Sequence, residues 1–531
     1  MIRKVLIFIT LALLPLAFLV IGISFNRTWF SGDPEYAYLL NGINILSFHP
    51  VGHADNPGTP VQSYSAVVLG ISHLFRMDKA SSLQVDVLTH PEVYVEIERK
   101  VSVIINALMM IVLGIWSFYI LKSLWFSLIL QIIPFISTTV LETAFTKVSP
   151  EPVLVFTTSL FIILLLKFYL NQGKEEAKYS KLFGWISGFG IATKATFLPI
   201  ALIPLWILKG RQNWKTFILQ ICISFVFFTI PAIPQYPHIA KWFAMLFVHT
   251  GTYGEGGLGI VNLPDYFRNL TLILANNPGM SISLVCTLLF IGVSYASKQL
   301  QASTKSVHFR FMSGIAFSQL MGILMVAKHY HANHYMVPEI CLTGVIWIFA
   351  ILQLSSTLRK QNSIRKFIAP ACFVLFVFIS ILNYSYINRA FKGYIISNEE
   401  YCKVSDALEK EYPQYAKAYY YPVSINPYCA LRWGSVYSNQ VHLNKLRSLY
   451  PEGLFYDCRN HSFQSWETGL NAKSILAISK GKLLLVGGPM TNSELSEAER
   501  GGLALKQLYK GRLQAFYEVD LVNSPMFKQK D

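Results

Sequence analysis

The sequence predicts a polytopic α-helical membrane protein with about eleven transmembrane helices, a long first extracytoplasmic loop and a small C-terminal extracytoplasmic α/β domain. Three observations predict this class. Of the 531 residues, 53% are hydrophobic and 14% are charged, and the mean hydropathy is +0.42, which is too apolar for an ordinary soluble domain. Long apolar segments recur through residues 1–387, which we expect to form the transmembrane domain. Residues 388–531 instead alternate short apolar runs with polar helical patterns, as in a small α/β domain.

Nine apolar segments are long enough, at about nineteen residues, to cross a bilayer as single helices. A tenth segment, residues 182–208, is too long for one ordinary span and carries Lys194 between two threonines at its middle. We predict two short helices there, broken at "TKAT", which raises the total to about eleven. The nine segments are residues 5–25, 101–121, 124–141, 152–170, 217–234, 280–296, 311–327, 338–354 and 367–387.

The basic residues predict the orientation of these helices. Lys and Arg concentrate in four loops that the positive-inside bias assigns to the cytoplasm, residues 171–181, 209–215, 298–310 and 358–366. Much of the formal charge of +16 lies in those loops and the sequence has no nucleic-acid-binding motif, so we expect no nucleic-acid partner. We expect a multi-pass protein of a bacterial inner or plasma membrane. The first loop, residues 26–100, and the tail, residues 388–531, are then extracytoplasmic.

Two carboxylates follow the first span, in "SGDPEYAY". Asp33 and Glu35 stand where hydrocarbon meets water, and partial desolvation there suits a general base that takes a proton from a hydroxyl. The same residues also make a good helix start, with Asp33 before Pro34 at the first helical position and Glu35 in the first turn. Both interpretations stay open on these residues alone.

Further polar residues gather at the same outer boundary. Glu151 opens the fourth span in "SPEPVLVF", and Lys194 of "TKAT" adds a cation at the same level. A lysine with several histidines can bind a phosphate through its charge and its hydrogen-bond donors. The alternatives are snorkelling of the lysine to the interface and packing or metal binding by the histidines. The segment "AKHYHANHYMVPE" supplies such a group, Lys328, His329, His331 and His334.

Taken in chain order, these motifs resemble the integral-membrane glycosyltransferases of the GT-C superfamily. The resemblance rests on the acidic motif after the first span, the long first outer loop, the acid in "SPEPVLVF", the broken pair in "GFGIATKATFLPI" and the late "KHYHANHYMVP". The most similar branch is that of the protein O-mannosyltransferases and the aminoarabinose–lipid A transferases. The resemblance covers residues 1–387, and the tail adds nothing specific to it.

The resemblance implies a polyprenyl-phosphate sugar as donor, bound among membrane lipids, and a glycan, lipid or protein as acceptor. An acceptor hydroxyl attacks the anomeric carbon with inversion. Asp33 matches the family's essential first-loop aspartate and is expected to act as the base, with Glu35 as its neighbour. Members of the family often have the two acids adjacent, and here Pro34 separates them, so the resemblance leaves open which acid acts.

The resemblance also assigns roles to the other polar residues. Glu151 stands where the family usually has Asp, and some relatives hold a divalent metal with such an acid, although the sequence requires no metal. With Glu151, His53 and Asp55 of "HPVGHADNPGTP" are the candidates for contact with the acceptor or a metal. Lys328 and His329 match basic positions near the donor phosphate. The full set expected around that phosphate is Lys328, His329, His331, His334 and Lys194.

Two functions from other classes remain as alternatives. A secondary transporter would use the broken helices and the intramembrane Lys194, but the sequence has no visible inverted repeat and its polar clusters gather at the outer boundary. A non-catalytic envelope assembly protein would act through its tail.

The tail also contains three cysteines, Cys402, Cys429 and Cys458. Two of them can form one disulfide if that side of the membrane is oxidising, which leaves one thiol over.

Overall fold

The chain forms two compact units. The first unit comprises Met1–Phe25, Ala54–Ser63 and Arg99–Ile387, and the second comprises Asn26–His53, Tyr64–Glu98 and Asn388–Asp531. The computed structural model describes residues 2–25, 35–55, 57–78, 82–171, 174–251, 254–297, 302–330, 332–357, 361–421, 427–458, 460–466, 469–511 and 514–528.

Helices dominate the described residues, and strands occur near the C-terminus. The helices are α1 (Ile2–Phe25), α2 (Glu35–Leu46), α3 (Thr59–Phe75), α4 (Leu83–Thr89), α5 (Pro91–Leu121), α6 (Leu124–Ile132), α7 (Thr138–Thr146), α8 (Pro150–Leu170), α9 (Glu176–Thr193), α10 (Leu202–Ile207), α11 (Arg211–Phe228), α12 (Tyr236–Val248), α13 (Leu263–Asn276), α14 (Pro278–Ala296), α15 (Val307–Ala327), α16 (Val337–Cys341), α17 (Thr343–Thr357), α18 (Gln361–Glu411), α19 (Pro427–Val436), α20 (Leu443–Leu449), α21 (Ala472–Ser479) and α22 (Asn492–Arg500). The strands are β1 (Ala416–Tyr421), β2 (Leu454–Asp457), β3 (Ser462–Gln464), β4 (Leu483–Gly487), β5 (Leu505–Lys510) and β6 (Ala515–Val519). Short 3-10 turns lie at Ile133–Ile136, Ala195–Phe197, Ile230–Gln235, Ala302–Lys305, Asn333–Met336 and Pro525–Phe527.

Seven described helices are long and apolar enough to cross a membrane, so the protein is an integral membrane protein. Two further pairs are bent, by 76° between Leu124–Ile136 and Thr138–Thr146 and by 90° between Arg211–Phe228 and Ile230–Val248. Counting each bent pair as one span gives up to nine, and all nine predicted apolar segments fall in these helices. The predicted total of about eleven also included two helices in residues 182–208, of which α10 is too short to cross alone.

The predicted break at "TKAT" is confirmed. Helix α9 ends at Thr193, and Lys194 has an extended backbone, with φ −162° and ψ 139°, before the turn Ala195–Phe197. The chain folds back closely at this point, because a Cβ on Gly190 would lie 2.3 Å from Cδ1 of Phe197. The break therefore needs a residue without a side chain one turn before it, and it leaves Lys194 outside the regular helix.

Helix α9 packs closely on α11 through two glycines four residues apart. A Cβ on Gly184 would lie 2.5 Å from Cβ of Gln220, and one on Gly188 would lie 2.6 Å from the carbonyl oxygen of Ile221. Small residues at this spacing let helix backbones approach, which is the usual basis of helix association where water supplies no hydrophobic drive. Ser224 on α11 adds a hydrogen bond from its hydroxyl to the carbonyl oxygen of Trp185, at 2.7 Å.

A buried glutamine ties three of the apolar helices together. Nε2 of Gln131 on α6 donates to the carbonyl oxygens of Leu11 on α1 and Met110 on α5, at 2.9 Å each. Gly114 makes room for this amide, since a Cβ there would lie 2.1 Å from Nε2 of Gln131. The buried amide nitrogen of Gln131 thus finds backbone partners on two other helices, which offsets its loss of water in a low-dielectric interior.

The second unit contains a six-stranded mixed sheet of order β3-β2-β1-β4-β6-β5. Strand β1 pairs in parallel with β2 and β4, and the other pairings are antiparallel. The predicted apolar runs "AYYYPVSI" and "GKLLLVGG" contain β1 and β4 at its centre, and every residue of β4 is buried. Helices cover the sheet, so the tail has the predicted α/β fold.

Helix α2, from the loop that the sequence predicts to be extracytoplasmic, belongs to this second unit and packs on α19. The amide of Asn41 donates to the carbonyl oxygen of Tyr437 at 2.9 Å, and that of Asn44 donates to Ser438 at 3.0 Å. Gly434 lets the backbones approach, because a Cβ there would lie 2.7 Å from the carbonyl oxygen of Tyr36. Residues almost four hundred positions apart in the chain therefore share one core.

All seven cysteines are free thiols, so the disulfide that the sequence left open is not formed. In the tail, Cys402 is exposed and Cys429 is buried. Burial raises the pKa of the Cys429 thiol to about 12, so this side chain behaves as a small apolar core residue.

Candidate functional site

A buried acid and a buried lysine meet in the first unit. Glu151 lies in the first turn of α8, where proline at positions 150 and 152 suits a helix start and the helix dipole favours a carboxylate. Lys194 lies at the break after α9. Glu151 exposes 3% of its surface and Lys194 exposes 4%. Two helix ends therefore bring opposite charges together inside an apolar bundle.

The ion pair is short and is completed by two side chains of the segment before α16. Nζ of Lys194 lies 2.5 Å from Oε1 of Glu151, and Nε2 of His334 lies 3.9 Å from the same oxygen. The ring of Tyr335 faces the ammonium, with 4.5 Å between Nζ and the ring centroid. We call Glu151, Lys194, His334 and Tyr335 the buried charge cluster.

The ammonium group of Lys194 is desolvated in this cluster and has two kinds of partner, a carboxylate and an aromatic ring. A carboxylate compensates the charge of Lys194, and an aromatic face stabilises it further, by about 2 kcal/mol where water is excluded. His334 is more accessible, with 29% of its side chain exposed. The cluster therefore has the nearly neutral ion pair of Glu151 and Lys194 in its interior and the partly exposed imidazole of His334 at its edge.

Asparagine side chains hold the turn that carries His334 and Tyr335. Nδ2 of Asn333 donates to Oγ1 of Thr139, in the first turn of α7, at 2.7 Å. Nδ2 of Asn277, which precedes α14, donates to Oδ1 of Asn333 at 2.6 Å. The 3-10 turn Asn333–Met336 is therefore anchored to two helix starts, and the positions of His334 and Tyr335 follow from that anchoring.

Lys328 and His329 lie elsewhere in the same unit, on backbone carbonyls at the end of α12. Nζ of Lys328 donates to the carbonyl oxygens of Leu246, at 2.5 Å, and Phe247, at 2.8 Å, and burial lowers its pKa. The ring nitrogens of His329 lie 2.6 Å from the carbonyl oxygen of Gly251 and 2.7 Å from that of Leu246. Because a carbonyl only accepts, each nitrogen bonds there only when it carries a proton. These two side chains cap a helix end and hold the glycine-rich loop that follows.

The remaining predicted site residues are dispersed over both units. Glu35 is the first residue of α2 and is fully buried in the second unit. His53, also in the second unit, packs edge-on between the rings of Tyr38 and Tyr437, at centroid distances of 5.3 and 5.1 Å.

Asp55 belongs to the first unit, where its Oδ1 lies 3.0 Å from Nε2 of His238 at the surface. Asp33 and His331 lie outside the described residues. Of the eight predicted site residues that are described, the structure therefore brings Glu151, Lys194 and His334 into one cluster.

Two further residues of the first unit, Tyr335 and Glu339, were not among the site residues predicted from the sequence. Tyr335 lies in the motif "KHYHANHYMVP", but its side chain is uncharged, so the sequence offered no reason to place it in a phosphate site. Glu339 lies in α16, is fully buried, and neither of its carboxylate oxygens has a hydrogen-bond partner among the described residues. The available signal for Glu339 was a carboxylate at the start of an apolar span, which by itself predicts a functional role.

The described residues contain no group of three or more His, Cys, Asp and Glu side chains that could hold a metal ion. Oε1 of Glu151, the acid that the sequence offered for this purpose, is bonded to Lys194. A cation at this carboxylate would therefore compete with an ammonium already in place. The chemistry of the buried charge cluster is that of an organic ion pair.

No protein-family model matches the sequence, and no curated protein matches it either. Among solved structures, that of ArnT from Cupriavidus metallidurans bound to undecaprenyl phosphate is similar, with a TM-score of 0.48 and 12% sequence identity. The similarity covers 100% of this chain and 99% of that chain. At 12% identity the likeness assigns no role to any residue of this chain.

Proposed function

We propose that this protein is a membrane glycosyltransferase that moves a sugar from a polyprenyl-phosphate donor to an extracytoplasmic acceptor hydroxyl, with inversion. The observation that carries the proposal is the buried Lys194, held by Glu151 and the Tyr335 ring among apolar helices. Ionisable residues inside a membrane bundle are costly, and they usually mark a binding or catalytic site. A donor with a phosphate head and a lipid tail calls for a cation in such a position.

In the proposed reaction, Lys194 binds the donor phosphate as a charge-assisted hydrogen-bond donor. The acceptor oxygen forms a bond to the anomeric carbon while the bond from that carbon to the phosphate oxygen breaks. The phosphate leaves with the bonding electron pair, and Lys194 stabilises the negative charge that develops on it. One displacement at the anomeric carbon inverts its configuration. Glu151 keeps the ammonium charged and oriented before the donor arrives.

The proton of the acceptor hydroxyl goes to Asp33, which the sequence resemblance names as the base, with Glu35 as the alternative. A positioned base typically contributes about a hundredfold or more to the rate. Burial of Glu35 at the start of α2 also fits a helix-start role, so the two acids call for separate variants. His53 and Asp55 are retained as candidates for contact with the acceptor.

The test of this proposal is sugar transfer from a polyprenyl-phosphate donor by the purified full-length protein. Asp33→Asn keeps the size and the capping ability of the side chain, so we expect normal folding and a rate lower by about a hundredfold. Glu35→Gln is expected to be milder. Asp265→Asn, at an exposed aspartate paired with Arg268, is the matched control and should transfer at the wild-type rate. Transfer at the wild-type rate by both Asp33→Asn and Glu35→Gln would contradict the mechanism.

The extracytoplasmic location of the reaction is tested by labelling single cysteines in a background without the seven native ones. Asp78 and Lys178 are suitable sites because their side chains expose 82% and 64% of their surface. We expect Asp78→Cys to react with an impermeant reagent from outside and Lys178→Cys to react only after the membrane is opened. The reverse pattern would place the proposed acceptor side in the cytoplasm.

One observation favours a secondary transporter as a second candidate. The buried Glu339 carboxylate, without a hydrogen-bond partner in the described part of the chain, is the kind of group that carries a proton through a membrane. A transporter would move protons across proteoliposomes with its substrate, and Glu339→Gln would abolish that flux. A glycosyltransferase would transfer sugar with no proton flux, and Glu339→Gln would leave the donor-dependent reaction in place.

A further inference from the structure

A cavity of about 320 Å³ opens among three helix ends of the first unit, at a boundary that the basic loops mark as cytoplasmic. It lies where α10 ends, where α14 ends and where α15 begins. Its described lining includes three cationic side chains and no acidic one, Lys209, Lys305 and Arg310. A site of this size and sign suits a small anionic group.

The three cations lack carboxylate partners among the described residues. Nε of Arg310 is also enclosed without a hydrogen-bond partner in that part of the chain. The carboxylate near the cavity, Glu176, is already engaged, because its Oε2 accepts from the backbone N–H of Lys209 and from Nδ2 of Asn213, at 2.9 Å each. The enclosed Nε of Arg310, together with the positive charge of the two exposed lysines beside it, indicates a missing acceptor that carries negative charge.

Helix α15 begins in the wall of the cavity, and its N-terminus adds to the positive charge there. Ser306 caps α15 by accepting from the N–H of Phe309 at 3.0 Å, and it sits in the cavity wall with the first turn of the helix. The helix N-terminus carries a partial positive charge that favours an anion. Ser313, one turn further, supplies a hydroxyl that already accepts from Nε1 of Trp206 at 3.1 Å.

Aromatic and apolar residues on the rim of the cavity indicate the kind of molecule to which the anionic group belongs. Trp206, Tyr295 and Val307 line the cavity and expose 46%, 59% and 38% of their surface. Trp and Tyr concentrate where a membrane helix passes through the headgroup layer. An apolar rim beside a basic cavity fits a molecule with a phosphate headgroup and acyl chains, and basic pockets between helices on this side of a membrane recognise such headgroups.

We propose that this cavity binds the phosphate headgroup of an anionic phospholipid of the cytoplasmic leaflet. Arg310 and Lys305 contact the phosphate, Lys209 adds charge, and Trp206 and Tyr295 face the glycerol and the acyl chains. The site is separate from the buried charge cluster in its residues and in its ligand. It serves to fix the ends of three helices, so its occupancy is expected to stabilise the bundle.

The test is native mass spectrometry of the full-length protein in detergent with added phosphatidylglycerol. We expect phosphatidylglycerol to bind and phosphatidylcholine to bind much more weakly. Lys305→Gln combined with Arg310→Gln should weaken phosphatidylglycerol binding by about tenfold or more, as expected when charge-assisted bonds are lost. Lys215→Gln, at an exposed lysine of the same basic region outside the cavity, is the matched control and should bind as the wild type does.

Three results would overturn the proposal. Equal binding of phosphatidylglycerol and phosphatidylcholine would remove the role of charge, and equal weakening by Lys215→Gln would remove the role of the cavity. Glycerol phosphate that displaces the lipid at similar concentration would make the ligand a soluble phosphate. Lys305 is exposed and makes no hydrogen bond to a described side chain, so Lys305→Gln alone keeps the test valid if the double variant does not fold.

Discussion

Nζ of Lys194 lies 2.5 Å from Oε1 of Glu151, and these side chains expose no more than 5% of their surface. The pair joins the start of α8 to the break after α9 across 43 residues of sequence. Neither charge has water to replace its partner, so the loss of one leaves the other buried and uncompensated. The pair therefore acts as a unit in stability, whatever its part in catalysis.

The first prediction concerns this pair. Glu151→Gln or Lys194→Met alone should lower the free energy of unfolding by about 3 to 5 kcal/mol, because each leaves an unpaired buried charge. The double variant Glu151→Gln/Lys194→Met should be more stable than either single variant, since it removes both charges. The measurement is thermal unfolding in detergent, analysed as a double-mutant cycle.

The same variants separate structure from catalysis. If the pair were only structural, the double variant would regain sugar transfer along with its stability. A pair that binds the donor phosphate instead predicts a stable double variant without activity. Additive losses in the cycle would show that the two side chains are not coupled, and this would contradict the geometry.

The second prediction concerns Lys328, which the sequence placed at the donor phosphate and which the structure bonds to the carbonyl oxygens of Leu246 and Phe247. Lys328→Ala should increase hydrogen exchange in the loop of residues 254–259, because the end of α12 loses a charged cap. The expected loss is about 1.5 to 3 kcal/mol, typical of a hydrogen bond to a charged group. Lys241→Ala, at an exposed lysine on the same helix, should leave this exchange unchanged. Unchanged exchange in Lys328→Ala with weaker donor binding would favour the phosphate role instead.

Much of the bundle was predictable because its signal is local. A run of apolar residues shows its own length, and a lysine in the middle of such a run marks a break, as at Lys194. The 76° and 90° bends had a signal in the sequence that the prediction of straight spans did not use, because Pro134 lies at the first bend and Pro231 and Pro234 lie at the second. The packing of α2 with α19 was out of reach, because it joins residues almost four hundred positions apart.

The candidate site was predictable in composition but not in pairing. The sequence named Glu151, Lys194 and His334, and the structure brings these three together. The sequence did not show that Lys328 and His329 bond to the backbone carbonyls at the end of α12. Tertiary packing brings that helix end next to them, and packing cannot be read from the local sequence. Tyr335 was missed for a related reason, since an aromatic ring becomes a cation partner only by its position.

The third prediction tests the close contact between α9 and α11. Gly188→Ala should destabilise the protein by about 1 to 3 kcal/mol, because its Cβ would lie 2.6 Å from the carbonyl oxygen of Ile221 and from Cβ of Ser224. Gly292→Ala is the matched control, since a Cβ there meets no atom of the described residues within 4 Å. Thermal unfolding of the two variants measures the difference. Equal melting temperatures would mean that the helices are further apart than the structure has them.

The last prediction concerns His442, which connects three segments of the second unit. Its ring is 1% exposed, its Nε2 lies 3.1 Å from the carbonyl oxygen of Leu40, and its Nδ1 lies 2.8 Å from Nε2 of Gln84. Because the carbonyl only accepts, Nε2 carries the proton and Nδ1 accepts from the Gln84 amide. Burial lowers the pKa of His442 below its ordinary value of 6.5, although the bond to Leu40 raises it in part and His49 lowers it further.

This shift makes stability depend on pH in one direction. Below about pH 6.5 the unfolded chain takes up the His442 proton more readily than the folded chain, so the free energy of unfolding falls as pH falls toward the folded pKa. We expect the melting temperature of the full-length protein to fall less between pH 8 and pH 5 in His442→Gln than in the wild type. His461→Gln, at a histidine of the same unit that is only partly buried, should keep the wild-type slope. If His442→Gln and the wild type show the same slope, His442 is not the group whose protonation weakens this unit in acid.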